Sequence, residues 1–87
     1  MADSLRDPRY RAVIARLIEI RKAEKINQRD FAERMGQLHS FVGKVELFER
    51  RLDFVQLIDW LRALGVNECE FCSDVLAKIP KSRRRRS

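Results

Sequence analysis

Apolar residues recur along most of the chain at helical rather than strand spacing. Tyr10, Val13, Ile14, Leu17 and Ile18 follow the i, i+3, i+4, i+7, i+8 series that puts one stripe on a helix, with Ile20 at its flank. Pro8 suits the first helical position, where its missing N–H has no partner to lose, and Asp7 before it is a good N-cap. Lys22 and Lys25 complement the negative end of that helix.

Three further helix starts share one signature. Asn27 is followed three residues later by Asp30, Asp53 by Gln56, and Asn67 by Glu70. Each resembles a capping box, in which the cap side chain takes an orphan backbone N–H and the third residue reaches back. The apolar pairs of a hydrophobic staple flank them: Ile26 with Phe31, Leu52 with Leu57, Val66 with Phe71. Gly36 and Gly65 stand where a left-handed residue would end the second and fourth helices, and Pro80 closes the last. Between Gly36 and Leu52, Phe41, Val42, Val45 and Phe48 keep helical spacing, although Gly43 costs about 1 kcal/mol relative to alanine. Gln37 and Leu38 stand where Ser or Thr would cap this short helix.

The pattern predicts five helices, near 9–24, 28–35, 39–47, 54–64 and 68–79, with no strand alternation and no internal repeat. The fold class is all-α. The expected organisation is an N-terminal arm over 1–8, one domain over 9–79, and a disordered basic tail over 80–87. Eighty-seven residues suffice for one compact core. No apolar run approaches the ~20 residues of a membrane span, and the N-terminus lacks the order of a signal peptide, so a cytoplasmic location is expected.

Charge sharpens this picture. The net charge of +6 is uneven: residues 1–51 are basic, whereas residues 52–77 set Arg62 against Asp53, Asp59, Glu68, Glu70 and Asp74. Residues 1–77 sum to zero, and Lys78, Lys81 and Arg83 to Arg86 supply the excess. A block of like charge does not pack. It either keeps a terminus soluble or supplies salt-sensitive, sequence-blind phosphate contacts to nucleic acid.

The second and third predicted helices are too short to stand alone but have the length of a helix-turn-helix, whose second helix enters the major groove. Ala32 allows close approach, Gly36 allows the positive φ of the turn, and Phe31, Met35, Val42 and Val45 supply the apolar seam. Leu17, Ile20-Arg21, Gln28, Phe31-Ala32, Gly36, Ser40, Val42, Lys44-Val45-Glu46 and Leu64-Gly65-Val66 together resemble the Cro and phage-repressor type of helix-turn-helix, the XRE family or lambda-repressor-like fold. That resemblance runs from about residue 17 to 66 and implies a compact bundle of four or five helices, with a central helix-turn-helix, whose members usually bind operator DNA as dimers.

Position by position, the resemblance implies a DNA-binding set of Gln28, Arg29, His39, Ser40, Gly43, Lys44, Arg50 and Arg51. Gln28 matches the glutamine that touches a phosphate and braces the recognition helix, with Arg29 beside it. His39, Ser40, Gly43 and Lys44 match the outward face that addresses base edges and nearby phosphates, and Arg50 and Arg51 match a backbone-gripping segment. Two positions depart from the family pattern. Phe48 stands where many relatives have glycine, so a different turn after the third helix is expected; Gln37, where an apolar residue is usual, and the poor cap bear on the start and tilt of that helix.

Other chemistry finds little footing. His39 is the sole histidine and lacks a partner at ligand spacing, so neither a metal site nor a catalytic base is expected, and no cofactor. Cys69 and Cys72 form a single C-x-x-C, half of a zinc set, outside the strand-to-helix setting of a thioredoxin-like pair. Packing in the core or in a dimer contact is the expectation for both. Trp60, Phe54, Leu57, Ile58, Leu61 and Leu64 make the fourth helix apolar beyond one stripe. With Cys69, Cys72, Val75, Leu76 and Ile79 they suggest a homodimer through the fourth and fifth helices. The expected function is a sequence-specific DNA-binding transcriptional regulator, a dimeric repressor without a small-molecule domain, acting on double-stranded DNA. The alternative is a protein-interaction module, antitoxin-like or an adaptor, that keeps the fold.

Overall fold

A computed structural model describes residues 4–78; the basic tail expected over 80–87, with Ile79, lies outside the described residues. Five helices follow one another: α1 (Pro8–Ala23), α2 (Gln28–Met35), α3 (His39–Glu46), α4 (Phe54–Leu64) and α5 (Glu68–Lys78). A single 3-10 turn, Ser4–Arg6, precedes them. This turn lies within the expected arm, and the Arg11 guanidinium donates to the Leu5 carbonyl at 2.9 Å. Among the described residues there is no strand and no helix long and apolar enough to cross a membrane.

The helix starts are set by local side-chain chemistry. Asp7 accepts from the Arg9 N–H at 2.8 Å and Asn27 from the Asp30 N–H at 2.8 Å. Asn67 does the same for the Glu70 N–H at 2.9 Å. The full reciprocal box closes at Asp53, which accepts from the Gln56 N–H at 2.7 Å while the Gln56 side chain accepts from the Asp53 N–H at 3.0 Å. The lack of an ideal cap before α3 is real: Leu38 occupies the N-cap position and makes no side-chain bond there.

Helix ends show what residue identity conceals. Gly36 and Gly65 are left-handed, at φ 70° and 74°. Lys25 and Phe48 adopt the same conformation, at φ 61° and 62°, although side chains disfavour it by roughly 1–2 kcal/mol. The turn expected to differ at Phe48 is thus a left-handed turn made without glycine. Its aromatic ring is half-buried and lies under the Arg11 guanidinium, 4.5 Å from the ring centroid, which offsets the backbone cost.

All five helices contribute to one core, built around Trp60 of α4. Phe31 of α2 meets the Trp60 ring edge-on at 5.1 Å between centroids, and Phe41 of α3 lies tilted against it at 6.0 Å. Ile14 and Leu17 of α1, Ala32 of α2, Val42 and Val45 of α3, Leu52, Leu61 and Leu64 in and before α4, and Phe71 and Val75 of α5 complete the buried set. Each of these side chains larger than alanine contributes roughly 1.5–3 kcal/mol on burial. Polar ties then fix the helix ends: the Leu52 N–H donates to the Tyr10 hydroxyl at 3.1 Å, and Arg34 donates to the Ala63 carbonyl at 3.0 Å.

Candidate nucleic-acid interface

Helices α2 and α3 are joined through Gly36, Gln37 and Leu38, and the left-handed Gly36 makes the reversal. Phe31, Ala32, Val42 and Val45 lie at the seam, all essentially excluded from solvent, and Met35 is half-buried beside them. Packing one side of α3 inward leaves its opposite side outward. His39, Ser40 and Lys44 are exposed there, and Gly43 is half-buried between them. This is the geometry a recognition helix needs: an apolar back, a polar front, and a short rod that stands clear of the bundle.

A buried ion pair holds that rod in place. The Arg21 guanidinium, on α1, makes a two-point contact with the Glu46 carboxylate at the end of α3, at 2.6 and 2.9 Å. Its remaining nitrogen donates to the Ile26 carbonyl at 2.6 Å, and the Gln28 amide adds a further donor to Glu46 at 2.9 Å. Arg21 and Glu46 are the two charged residues buried among the described residues. One carboxylate thus ties the last turn of α3 to α1 and to the first turn of α2. With three donors on the Glu46 carboxylate and all three guanidinium nitrogens of Arg21 bonded, this is the arrangement in which burial of charge is tolerated.

Gln28 therefore braces α3 through Glu46. Its amide oxygen lies over Gly43, where an added Cβ would sit 3.6 Å away, an ordinary contact; glycine is not sterically required at that point. Around Gln28, an open polar depression is lined by Arg21, Asn27, Arg29 and His39. The expected set is thereby brought to one side in part: Gln28, Arg29 and His39 share the depression, and Ser40, Gly43 and Lys44 continue along α3. Arg51 is exposed after α3. Arg50 is also exposed, but its guanidinium stacks over the Phe41 ring at 5.1 Å from the centroid, so part of its role is structural.

Against solved structures, the chain is similar to an XRE-family-like protein from Pseudomonas syringae pv. tomato. The two share 39% identity, with 83% of this chain and 88% of that chain covered, at a TM-score of 0.78. The chain belongs to the XRE family. No family model and no curated protein matches it.

As an XRE-family helix-turn-helix protein, the chain carries features that the candidate residue list passed over. Arg21 and Glu46 were visible as family positions but not as partners, since 25 residues separate them. Leu38 and Leu47, 77% and 67% exposed, flank α3 at its two ends. Their apolar character at an outward surface gave no signal in a pattern that reads apolar residues as core. The cysteines depart from expectation in the other direction. Both Cys69 and Cys72 are exposed free thiols, so core packing does not hold for either. They line a groove between α4 and α5, of about 380 Å³, with Phe54, Leu57, Ile58 and Leu61.

Proposed function

We propose that this XRE-family protein is a sequence-specific DNA-binding transcriptional repressor that works as a homodimer in the cytoplasm. The observation that carries the reading is the outward polar face of α3, anchored from behind by Glu46 to two other helices. A preorganised rod loses little conformational freedom when it docks, so its contacts are available for affinity and selection. In this reading Gln28, Arg29, Arg50 and Arg51 meet phosphates and fix register, as does the arginine-rich tail. His39, Ser40 and Lys44 meet base edges, and Gly43 keeps the helix close to the groove floor.

The surface of α4 and α5 supports dimerisation through these helices. Phe54, Val55 and Leu76 are 72%, 64% and 71% exposed, and Phe54 borders the apolar groove. Two copies related by a two-fold axis would present two α3 helices to half-sites about one helical turn apart.

The test is a gel-shift titration on a site selected from genomic fragments. Lys44→Ala is expected to reduce the preference for that site over random DNA, by roughly 1–3 kcal/mol if it reads a base. Removing residues 81–87 is expected to weaken both complexes about equally and flatten the salt dependence. A tail deletion that abolishes operator binding alone overturns these roles. Selection that enriches no DNA, with one protein co-purifying, favours an interaction module instead.

A further inference from the structure

We propose that Cys69 and Cys72 form a two-thiolate clamp for a soft, thiophilic monovalent cation of the copper(I) class. Both thiols are free and exposed, and both face the groove between α4 and α5. They stand at i and i+3 near the start of α5, which places their Cα atoms about 5 Å apart on one face of the helix.

Spacing decides between the two things such a pair does. Cβ atoms at i and i+3 on a helix stand about 5–6 Å apart. A disulfide needs them at about 3.5–4.5 Å, so closing one would strain the second turn of α5. A bridging metal relaxes that demand. Metal–sulfur bonds of roughly 2.3 Å let two sulfurs stand up to about 4.6 Å apart, within reach of ordinary rotamers.

Ligand chemistry selects the ion. Among the described residues no third His, Cys, Asp or Glu joins the pair as a ligand set. Zinc in a structural site is closed by four ligands, whereas soft thiolates alone suit a monovalent d10 ion that accepts two. Phe54, Leu57, Ile58 and Leu61 supply an apolar wall, and the groove's one carboxylate, Glu68, is held by the Arg62 guanidinium at 2.7 Å rather than turned to a hard cation. A bis-thiolate holding a monovalent cation carries one net negative charge, which the exposed groove leaves to solvent because Arg62 is already paired with Glu68. In the binding step both S–H bonds break, two metal–sulfur bonds form, and two protons leave to solvent; no electron is transferred. The inference does not rest on DNA contact, but the thiols border the same α4–α5 groove as Phe54, so copper(I) and the proposed dimer contact compete for it.

Reduced full-length protein is titrated anaerobically with copper(I) against a chromophoric copper(I) chelator, while near-ultraviolet thiolate-to-metal absorption is followed. One copper per chain is expected. Cys69→Ser and Cys72→Ser should each weaken binding on the order of 100-fold or more, because the second thiolate acts at high effective concentration. Ser73→Ala, at an exposed position of the same helix, should leave copper(I) binding unchanged. Circular dichroism checks folding, which the exposed sites should leave intact. Equal competition by wild type and the Cys69→Ser/Cys72→Ser double variant overturns the proposal. So do one copper per two chains, or an unchanged affinity when one thiol is removed.

Discussion

Replacing Arg21 by methionine keeps most of the side-chain volume and removes the guanidinium from a site where it is almost wholly enclosed. Side-chain exposure is 8% for Arg21 and 6% for Glu46, so solvent does not replace what is lost. The Glu46 carboxylate would keep the Gln28 amide but lose a two-point contact, and the Ile26 carbonyl would lose its donor at 2.6 Å. Removing one partner of a buried pair costs about 3–5 kcal/mol. At roughly 0.05–0.15 kcal/mol per residue, the whole chain has only about 4–13 kcal/mol of stability. Arg21→Met is therefore expected to remove a large part of it, and to lower the urea midpoint by about 2 M without changing the slope. The double variant Arg21→Met/Glu46→Leu has no buried charge left, and should recover to within about 1–2 kcal/mol of the parent. Urea unfolding followed by helical circular dichroism on the four proteins of the cycle gives the coupling energy. A single-variant loss below about 1 kcal/mol, or a double variant that loses the sum of the two singles, refutes the assignment of Arg21 and Glu46 as the bracket of α3.

Two other outcomes follow from local geometry. Asp7 accepts from the Arg9 side chain and backbone, which holds its carboxyl at about 2 instead of 3.8. A lowered folded-state value means that its contribution is full above pH 3.8 and is lost as pH falls toward 2. Carboxyl-carbon NMR should find that midpoint, and Arg9→Ala should move it up toward 3.8; a midpoint unmoved by Arg9→Ala contradicts the cause given. Lys25→Gly removes the left-handed penalty at an exposed position and should stabilise by about 0.5–1 kcal/mol. Phe48→Gly should gain nothing, because the half-buried ring and its Arg11 contact go with it; thermal unfolding of the two variants separates the cases.

Much of the fold was legible because the signals are local. A cap side chain reaches a backbone N–H two or three residues away, so Asp7, Asn27, Asp53 and Asn67 announce helix starts without any knowledge of packing. The apolar seam of α2 and α3 is legible for the same reason, since 3.6-residue periodicity is a property of one segment. What stayed hidden depends on distance or on compensation. The Arg21–Glu46 pair joins helices whose approach no local pattern encodes. The left-handed backbone at Lys25 and Phe48 runs against residue preference and is held by neighbours. Cysteine reads as a small hydrophobe, which is why core packing was one of the two expectations for Cys69 and Cys72, and their exposure removes that one.

The arrangement around Glu46 also bears on how such a protein can change its target. The anchor and the reading face meet on one flank of α3: Glu46 lies one turn beyond Gly43, and the Gln28 side chain that holds it shares a depression with His39. Substitutions at 40 and 44 touch none of the bonds to Glu46, so new operator preferences can be sampled at these two exposed positions without each trial first having to survive unfolding.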